Sequence, residues 1–292
     1  MNKPDPTAIR VHKDRAMFLE AVNFTAAQTG FSPRLIEKDY FCTVLLRYLA
    51  TSGMLVFKGG TCMAKVHAEF YRLSEDLDFA IPMPCDAMRA ERSRQAKKLK
   101  KTVAELAAEL EGFTVVEPLT GANVSTQYVS VVGYDSVLSG QAEGIKIEIG
   151  LREPLLTPAF DGAARTALLD PVSGRPMVPP VAVRCISRME AFAEKFRAAL
   201  SRREAAIRDF YDIDYAVRRL DLRPQDPTLV ELVRQKLAMP GNEPADVSEA
   251  RLATLRRQLD AQLKPVLRDR DFAEFDLERA FRTVARMAEK TR

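Results

Sequence analysis

The chain has 292 residues, a formal net charge of only +4 and 47% hydrophobic residues, which is the composition of an ordinary globular protein of one large or two modest domains. No run approaches the roughly 20 apolar residues that span a bilayer, and no apolar segment follows Met1–Asp5 as a secretory signal would require, so we expect a cytosolic protein. Two histidines, and four cysteines without metal-ligand spacing, argue against a His- or Cys-based metal centre and leave the chemistry to carboxylates and lysines.

The first part of the chain is predicted to form two helices and a strand. Residues 14–28 carry the apolar period of an amphipathic helix. Ser32-Pro33 opens a second helix that runs to residue 50, because serine is a favoured N-cap and proline is favoured at the first helical position. The apolar run at residues 54–57 predicts a strand. Cys42 and Cys62 fall in apolar helical surroundings, so we expect both to be buried thiols.

A glycine turn and a pair of aspartates are the most informative feature of the chain. The turn Lys58-Gly59-Gly60-Thr61 follows the predicted strand and precedes a helix, an order that aims backbone N–H groups and the positive helix end at a phosphate. Asp76 and Asp78 lie on the next predicted strand, at residues 76–81. Their carboxylates should share one face about 7 Å apart, and Mg²⁺ would relieve their repulsion. A tight turn and a solvated strand edge explain each half separately, but together they predict a metal–nucleotide site.

Residues 86–111 are predicted to form a basic helix. Its first half carries one acid, Glu91, and seven basic residues, which are Arg89, Arg92, Arg94, Lys97, Lys98, Lys100 and Lys101. Such a run is either a solvated helix face or a surface for the polyphosphate backbone of a nucleic acid. The sequence leaves both interpretations open.

The hydrophobic period then changes to two, which predicts strands. Three are expected, at residues 113–116, 127–132 and 145–151. On the last of them the isoleucines face one side, and Lys146 and Glu148 face the other. Residues 154–180 are rich in proline and glycine and are predicted to be loops around a short strand near residues 166–169.

After Arg184 the pattern is helical. Ser187-Arg188-Met189-Glu190 is a capping box that starts a helix near Arg188. Further helices are expected at residues 204–220, 227–238, 247–263 and 271–289. The predicted architecture is therefore an α/β lobe, residues 1–185, and an α-helical lobe, residues 186–292, with a ligand cleft expected between them.

These motifs resemble the DNA polymerase beta-like nucleotidyltransferase superfamily, in which a strand, a Gly-Gly turn, a helix and an Asp-x-Asp strand occur in this order. More narrowly, Lys58–Thr61 and Arg72–Asp78 are similar to motifs of the AbiEii/MenT toxin branch. Ile36–Tyr40 is similar to its lead-in helix, and Glu194-Lys195 and Arg208–Asp212 are similar to its later motifs. The similarity spans residues 34–215 and departs from the minimal superfamily pattern in a longer connection between the glycine turn and the aspartates.

The resemblance implies an α/β nucleotidyltransferase core with a mixed sheet and an enzyme that needs Mg²⁺, or Mn²⁺, to transfer a nucleotide (NMP) from an NTP. Asp76 and Asp78 are implied metal ligands, and Glu148 is our choice for the third; as the alternative, Glu148 is a surface residue paired with Lys146. The implied nucleotide-binding set comprises Lys58, Gly59, Gly60, Thr61, Arg72, Ser74 and Lys195.

Two residues of the helical lobe also receive roles from the resemblance. Lys195 is implied to contact the triphosphate, and the alternative is an ordinary surface lysine. Asp209 is implied to be required for catalysis, and the alternative is a structural ion-pair cluster with Arg208 and Asp212. If Lys195 lies at the edge of its helix, Lys195→Ala should abolish transfer with little loss of stability.

The resemblance further implies the toxin of a type IV toxin–antitoxin or abortive-infection system. Its acceptor would be RNA, specifically the 3′ end of tRNA, and its cognate antitoxin would form no stable complex with it. Two alternatives stay open. In the first, the acceptor is a protein or a small molecule. In the second, the chain is a non-catalytic nucleotide-binding regulatory module.

Overall fold

A computed structural model describes residues 10–292, and Met1–Asp5, considered above for a secretory signal, lies outside the described residues. The chain divides into two compact units, the first ending at Ile186 and the second spanning Ser187–Arg292. Among residues 10–292, no helix combines the length and the apolar character that a membrane span needs.

The first unit carries helices and strands in a mixed order. Its helices are α1 (Arg15–Thr29), α2 (Pro33–Ala50), α3 (Gly59–Cys62) and α4 (Arg89–Glu109). Its strands are β1 (Val56–Lys58), β2 (Leu77–Ala80), β3 (Phe113–Ala122), β4 (Gln127–Asp135), β5 (Ala142–Gly150), β6 (Phe160–Ala164) and β7 (Val181–Cys185). The start of α2 follows from local chemistry, because the Ser32 hydroxyl accepts a hydrogen bond from the Leu35 N–H and Pro33 occupies the first turn.

The described strands form one seven-stranded mixed sheet in the order β3-β4-β5-β2-β1-β7-β6. β2 is parallel to β5, and β1 is parallel to β7. β1 and β2 are antiparallel neighbours, as are β3 and β4, β4 and β5, and β6 and β7. The fold is therefore α/β, as predicted, and β2 lies near the middle of the sheet.

One face of the central strands belongs to the hydrophobic core. Leu77, Phe79, Ile147 and Ile149 are all at most 1% exposed. The alternate positions on β2 and β5 face the other way, and Asp78 and Glu148 are only half-buried. Strand alternation therefore separates an apolar face from the face that carries the predicted chemistry.

The second unit is helical in its described secondary structure. Its helices are α5 (Arg188–Ser201), α6 (Ile207–Arg219), α7 (Pro227–Ala238), α8 (Glu249–Gln258), α9 (Asp269–Ala273) and α10 (Leu277–Thr291). The predicted cap of α5 is present, since the Glu190 N–H donates to the Ser187 hydroxyl at 3.2 Å. Phe192, Phe196 and Leu200 form a buried stripe along α5.

Several predicted elements need correction. β7 was missed because it has only five residues directly before the helical region. The strand expected at residues 166–169 is absent, and β6 lies earlier in the chain. The backbone of residues 166–169 is held instead by side chains: the Ala167 N–H donates to Asp39 and the Leu169 N–H donates to Thr25.

Some predicted boundaries also shift. α10 begins at Leu277 and not near residue 271, because the Asp276 side chain accepts from the Arg279 N–H and caps it. β2 begins at Leu77, so Asp76 lies one residue before the strand. The helix after the glycine turn is short: α3 ends at Cys62 and continues only as a π-helical turn, Met63–His67.

Candidate active site

Three predicted site residues lie side by side on neighbouring strands. Asp78 of β2 is paired with Lys58 of β1 and, on its other side, with Glu148 of β5. Residues directly opposite each other in a sheet project to the same face. The structure therefore brings together a lysine and two carboxylates that are far apart in sequence.

The glycine turn lies directly against Asp78. Gly59 has a φ of +73°, and a Cβ added there would lie 2.1 Å from the Asp78 Oδ2 atom. A side chain at this position would therefore both strain the backbone and displace the carboxylate. Gly59 allows the turn between β1 and α3 to pass beside the predicted metal ligand.

Gly60 makes a second close approach, to the predicted phosphate-side residues. A Cβ on Gly60 would lie 2.6 Å from the Arg72 Nη2 atom and 3.1 Å from the Ser74 Oγ atom. The Thr61 hydroxyl donates to the Asp76 carbonyl and ties the turn to the aspartate segment. Arg72 is 2% exposed, so a buried guanidinium lies beside the glycine turn, where its positive charge favours an anion such as a phosphate.

The features that would bind a phosphate lie in the glycine turn and not in a long helix. α3 has four residues, so its helix dipole would contribute less to the attraction of a phosphate than the sequence suggested. The backbone of the glycine turn and the cationic side chains Arg72 and Lys58 are the remaining features that would attract a phosphate.

The contacts of Glu148 match its predicted alternative, while its role as a metal ligand stays a prediction. It is aligned with Asp78, and it also forms an ion pair with Lys146, with 2.8 Å between the Lys146 Nζ and Glu148 Oε2 atoms. The hydrogen bond with Glu148 raises the pKa of Lys146, and the negative charges of Asp76 and Asp78 raise it further. Lys146 thus lies in the electrostatic field of all three predicted metal ligands. The sequence indicated its pairing with Glu148 but not its proximity to Asp76 and Asp78.

The donor chemistry fits a hard divalent cation, although the side chains are not arranged around one. Asp76, Asp78 and Glu148 offer the carboxylate oxygens that Mg²⁺ prefers. Within residues 10–292, no three His, Cys, Asp or Glu side chains converge as a ready-made metal site. The pairing of Glu148 with Lys146 accounts for one carboxylate that is directed elsewhere.

An ion-pair network that the sequence did not reveal holds the segment between Ser74 and Asp76. Glu75 binds Arg34 at 3.0 Å and Lys38 at 3.2 Å, and Arg34 also binds Glu143 at 2.9 Å. Burial tends to raise the pKa of Glu75, but the attraction of Lys38 and Arg34 outweighs burial and holds that pKa below its ordinary value. The network anchors the aspartate segment to α2 and β5.

The lead-in helix also contributes a buried ion pair. Asp39 of α2 and Lys65 of the π-helical turn lie 2.6 Å apart and are 2% and 0% exposed. The Lys65 amine also donates to the Thr43 hydroxyl at 2.7 Å, and the other Asp39 oxygen accepts from the Ala167 N–H. This pair fixes the turn that follows α3, so we assign it a structural role.

The basic face of α4 is smaller than the sequence suggested. Arg92 is 8% exposed, and its guanidinium donates to the carbonyl oxygens of Leu151 and Cys85. Arg92 therefore packs α4 onto the unit and does not belong to a docking surface, which corrects the predicted set. The exposed basic residues of α4 are Arg89, Arg94, Lys97, Lys98, Lys100 and Lys101.

In the second unit, the two implied site residues contact each other. The Lys195 amine lies 2.8 Å from Asp209 and 2.8 Å from Asp212. Arg202 forms an ion pair with the second Asp209 oxygen at 3.3 Å, without the alignment of a hydrogen bond. Asp209 and Asp212 are 3% and 1% exposed. Lys195 is therefore not an ordinary surface lysine, since its side chain is only 13% exposed. These contacts lead us to expect that Lys195→Ala lowers the stability, because the change would leave two buried carboxylates without their shared cation.

The cysteines behave as packing residues. Cys42 and Cys62 are buried as predicted, and the four cysteines, all within residues 10–292, are not part of a disulfide. Burial raises the pKa of the Cys42 thiol to about 12, so this thiol stays protonated and unreactive near neutral pH.

The chain is similar to a known protein family and to solved structures. The family profile described as "Nucleotidyl transferase AbiEii toxin, Type IV TA system" matches residues 45–286. No curated protein sequence matches the chain. Two crystal structures from Helicobacter pylori share the fold. A candidate nucleotidyltransferase has 15% identity, a TM-score of 0.52 and coverage of 89% of this chain and 95% of its own. The protein JHP933 has 15% identity and a TM-score of 0.53, and the match covers 89% of this chain and 92% of JHP933.

The profile match covers most of the chain and includes the glycine turn, the aspartates, Glu148 and the Lys195 cluster. The sequence resemblance is thereby confirmed, and with it the nucleotidyltransferase class. The chain belongs to the AbiEii nucleotidyltransferase toxin family of type IV toxin–antitoxin systems.

Proposed function

We propose that this toxin transfers NMP from an NTP to an RNA hydroxyl in a reaction that requires Mg²⁺ held by Asp76, Asp78 and Glu148. The observation that carries the proposal is the alignment of Asp78 with Glu148 beside the glycine turn. A nucleotide phosphate and a divalent cation would meet at this point of the sheet.

The residues have separable tasks in this reaction. The glycine turn, Arg72 and Lys58 would orient the triphosphate and offset its negative charge, which grows on the leaving pyrophosphate. Ser74, beside Gly60 and Arg72, would donate a hydrogen bond to a phosphate oxygen. Mg²⁺, when bound, lowers the pKa of the attacking hydroxyl and stabilises the leaving group.

The roles of Lys195 and Asp209 in this reaction stay predictions. Their contact with each other supports the view that they act as one group, in which Asp209 and Asp212 set the position of the Lys195 amine. A direct contact of that amine with the triphosphate is what the family resemblance implies.

The exposed basic face of α4 supports RNA as the acceptor. Its side chains present six positive charges along one helix, and a phosphate backbone is the partner that gains most from such a row. We take the 3′ end of tRNA as the specific acceptor because the resemblance implies it. An enzyme that uses NTP and tRNA, opposed by a cognate antitoxin, would act in the cytoplasm.

The test is a labelling reaction with the full chain. Purified protein is incubated with each α-labelled NTP, Mg²⁺ and total RNA, and the product that carries the label is identified. We expect label at the 3′ end of tRNA, and no label with EDTA or with Asp76→Asn. Label on a protein or a small molecule would replace the proposed acceptor, and undiminished transfer in EDTA would exclude the metal mechanism.

A further inference from the structure

Lys146 is a cation among the three carboxylates proposed as metal ligands. The register pairs Leu77 with Ile147 and Asp78 with Glu148. Continued by one residue toward the N-terminus, the same alignment places Lys146 beside Asp76. Side chains two residues apart on a strand share a face, so Lys146 lies on the face that carries Asp78 and Glu148.

Lys146 and a metal ion would compete for the same oxygen atoms. Its Nζ atom lies 2.8 Å from the Glu148 Oε2 atom. A carboxylate oxygen that binds an ammonium group at this distance has less electron density to offer a cation, and the positive charge itself repels a cation nearby. Glu148 therefore has to leave Lys146, or share its oxygens, before it can act as a metal ligand.

The ion pair of Lys146 with Glu148 can separate at small cost. The side chains of Lys146 and Glu148 are 45% and 34% exposed, and a lysine amine on a flexible stem can move into water at small cost. The contrast within this unit is Lys65, which pairs with Asp39 at 0% exposure and is held by further hydrogen bonds. The Lys65 side chain is fully buried, whereas the Lys146 side chain is already partly in water.

We propose that Lys146 is a displaceable counter-ion of the active site: it holds Glu148 in the metal-free protein and is displaced when a divalent cation binds. The proposal rests on the proposed function, because it takes Asp76, Asp78 and Glu148 as the metal ligands. Its consequence is that Lys146 sets the affinity of the protein for the cation and keeps that affinity low.

Mn²⁺ binding tests the proposal without reference to activity. Free Mn²⁺ is titrated by electron paramagnetic resonance against the full-length protein and its variants. Removing the positive charge in Lys146→Met should tighten Mn²⁺ binding by about tenfold, the scale expected for one charge near a divalent ion in a half-exposed site. Lys146→Arg keeps the charge and should stay near the wild-type affinity.

Two further variants show whether the measured Mn²⁺ binds at the proposed site. Lys13→Met removes an exposed lysine that pairs with Glu111, and it should leave Mn²⁺ binding unchanged. Asp78→Asn should abolish the binding and thereby locate the bound ion. Thermal unfolding checks that each variant is folded.

The outcomes distinguish a failure of the counter-ion role from a failure of the proposed function. Mn²⁺ binding that is lost in Asp78→Asn but equal in wild type and Lys146→Met would overturn the counter-ion role and leave the proposed function standing. Weaker binding in Lys146→Met would overturn it in the same way. An absence of Mn²⁺ binding in every protein, even with a non-hydrolysable NTP, would overturn the proposed function together with this inference.

Discussion

Asp76 and Asp78 are two residues apart but stand in different backbone settings. Asp78 lies inside β2, aligned with Lys58 and Glu148, whereas Asp76 precedes the strand and its carbonyl accepts from Thr61. The strand fixes the direction of the Asp78 side chain, and the glycine turn fixes the position of Asp76. Both aspartates therefore depend on the short segment from Lys58 to Thr61.

Asp78→Asn should remove most of the transfer activity. The change keeps the size of the side chain but removes a charge from the cation site, and we expect a loss of at least ~100-fold, the scale of removing a major electrostatic contribution. Single-turnover transfer with labelled NTP measures the effect. Asp135→Asn, at an exposed aspartate at the end of β4, is the matched control and should keep full activity. Equal rates in the two variants would exclude Asp78 from the metal site.

Gly59→Ala should disturb the site beyond its effect on the backbone. Gly59 and Gly53 have similar φ angles, +73° and +68°, but only at Gly59 would a Cβ meet another residue, namely Asp78. Both substitutions should cost about 1 kcal/mol through the left-handed backbone. Only Gly59→Ala should also lower transfer strongly. Urea unfolding and transfer rates measure the two effects, and a normal rate in Gly59→Ala would show that the turn does not position Asp78.

At the scale of single elements, α4 divides into a buried side and a basic side. Arg92, Ala96, Leu99 and Val103 pack inward, and the lysines between them face solvent. Lys98 donates to the Ser52 carbonyl and Lys101 pairs with Glu105 at 3.7 Å. Contacts of this exposed kind are weak, so the basic side remains available to a polyanion.

Charge reversal on α4 should separate RNA binding from NTP binding. The triple change Arg94→Glu, Lys97→Glu and Lys101→Glu should weaken RNA binding and reduce the slope of log affinity against log salt by roughly two units. NTP binding should stay nearly unchanged. The matched control reverses Arg257, Arg282 and Arg286, which are exposed on α8 and α10. If the control weakens RNA binding as much as the α4 variant does, net charge and not α4 is responsible.

The Lys195 cluster joins α5 to α6 and should behave as a stability element. Lys195→Ala leaves Asp209 and Asp212 buried without the amine that both contact, which should cost about 3 kcal/mol. The double change Lys195→Ala with Asp212→Asn removes one of these charges and should recover part of the loss. Urea unfolding of the two variants provides the comparison. A single variant as stable as the wild type would show that the Lys195 cluster does not contribute to the stability of the protein.

Local signals predicted the elements that depend on local chemistry. The helices opened by Ser32, Ser187 and Asp226 begin where their caps indicate, and the alternation on β5 separates Glu148 from the isoleucines as expected. β7 and the segment at residues 166–169 were not predictable in this way, because their structures depend on partners distant in sequence. Such partners carry no local sequence signal.

The same distinction applies to the candidate site. The glycine turn and the aspartates form a local motif, so the sequence alone identified them. The ion pairs of Glu75 with Arg34 and Lys38, and the buried position of Arg92, depend on contacts between distant segments. The pairing of Lys146 with Glu148 follows from their spacing on β5, whereas the alignment of Lys146 with Asp76 depends on the register of two parallel strands, which no residue spacing reveals.

At the scale of the whole molecule, a toxin of this family can lose its toxicity in two ways. A folded protein can lose its transfer activity, or the protein can lose its fold. Asp76 lies on the half-buried face of the first unit, and Phe196 is 0% exposed in the core of the second unit. Substitutions at these two positions therefore test the two ways separately.

Expression of the chain should arrest bacterial growth, and both Asp76→Asn and Phe196→Ala should restore it for different reasons. Asp76→Asn should do so at the wild-type soluble abundance, because the change keeps the size of a half-buried side chain and leaves no cavity. Phe196→Ala should do so by lowering that abundance, since the cavity it leaves costs about 3–5 kcal/mol. Growth curves together with quantitative immunoblots of the soluble fraction distinguish the two. If Asp76→Asn at full abundance still arrested growth, toxicity would not arise from metal-dependent transfer.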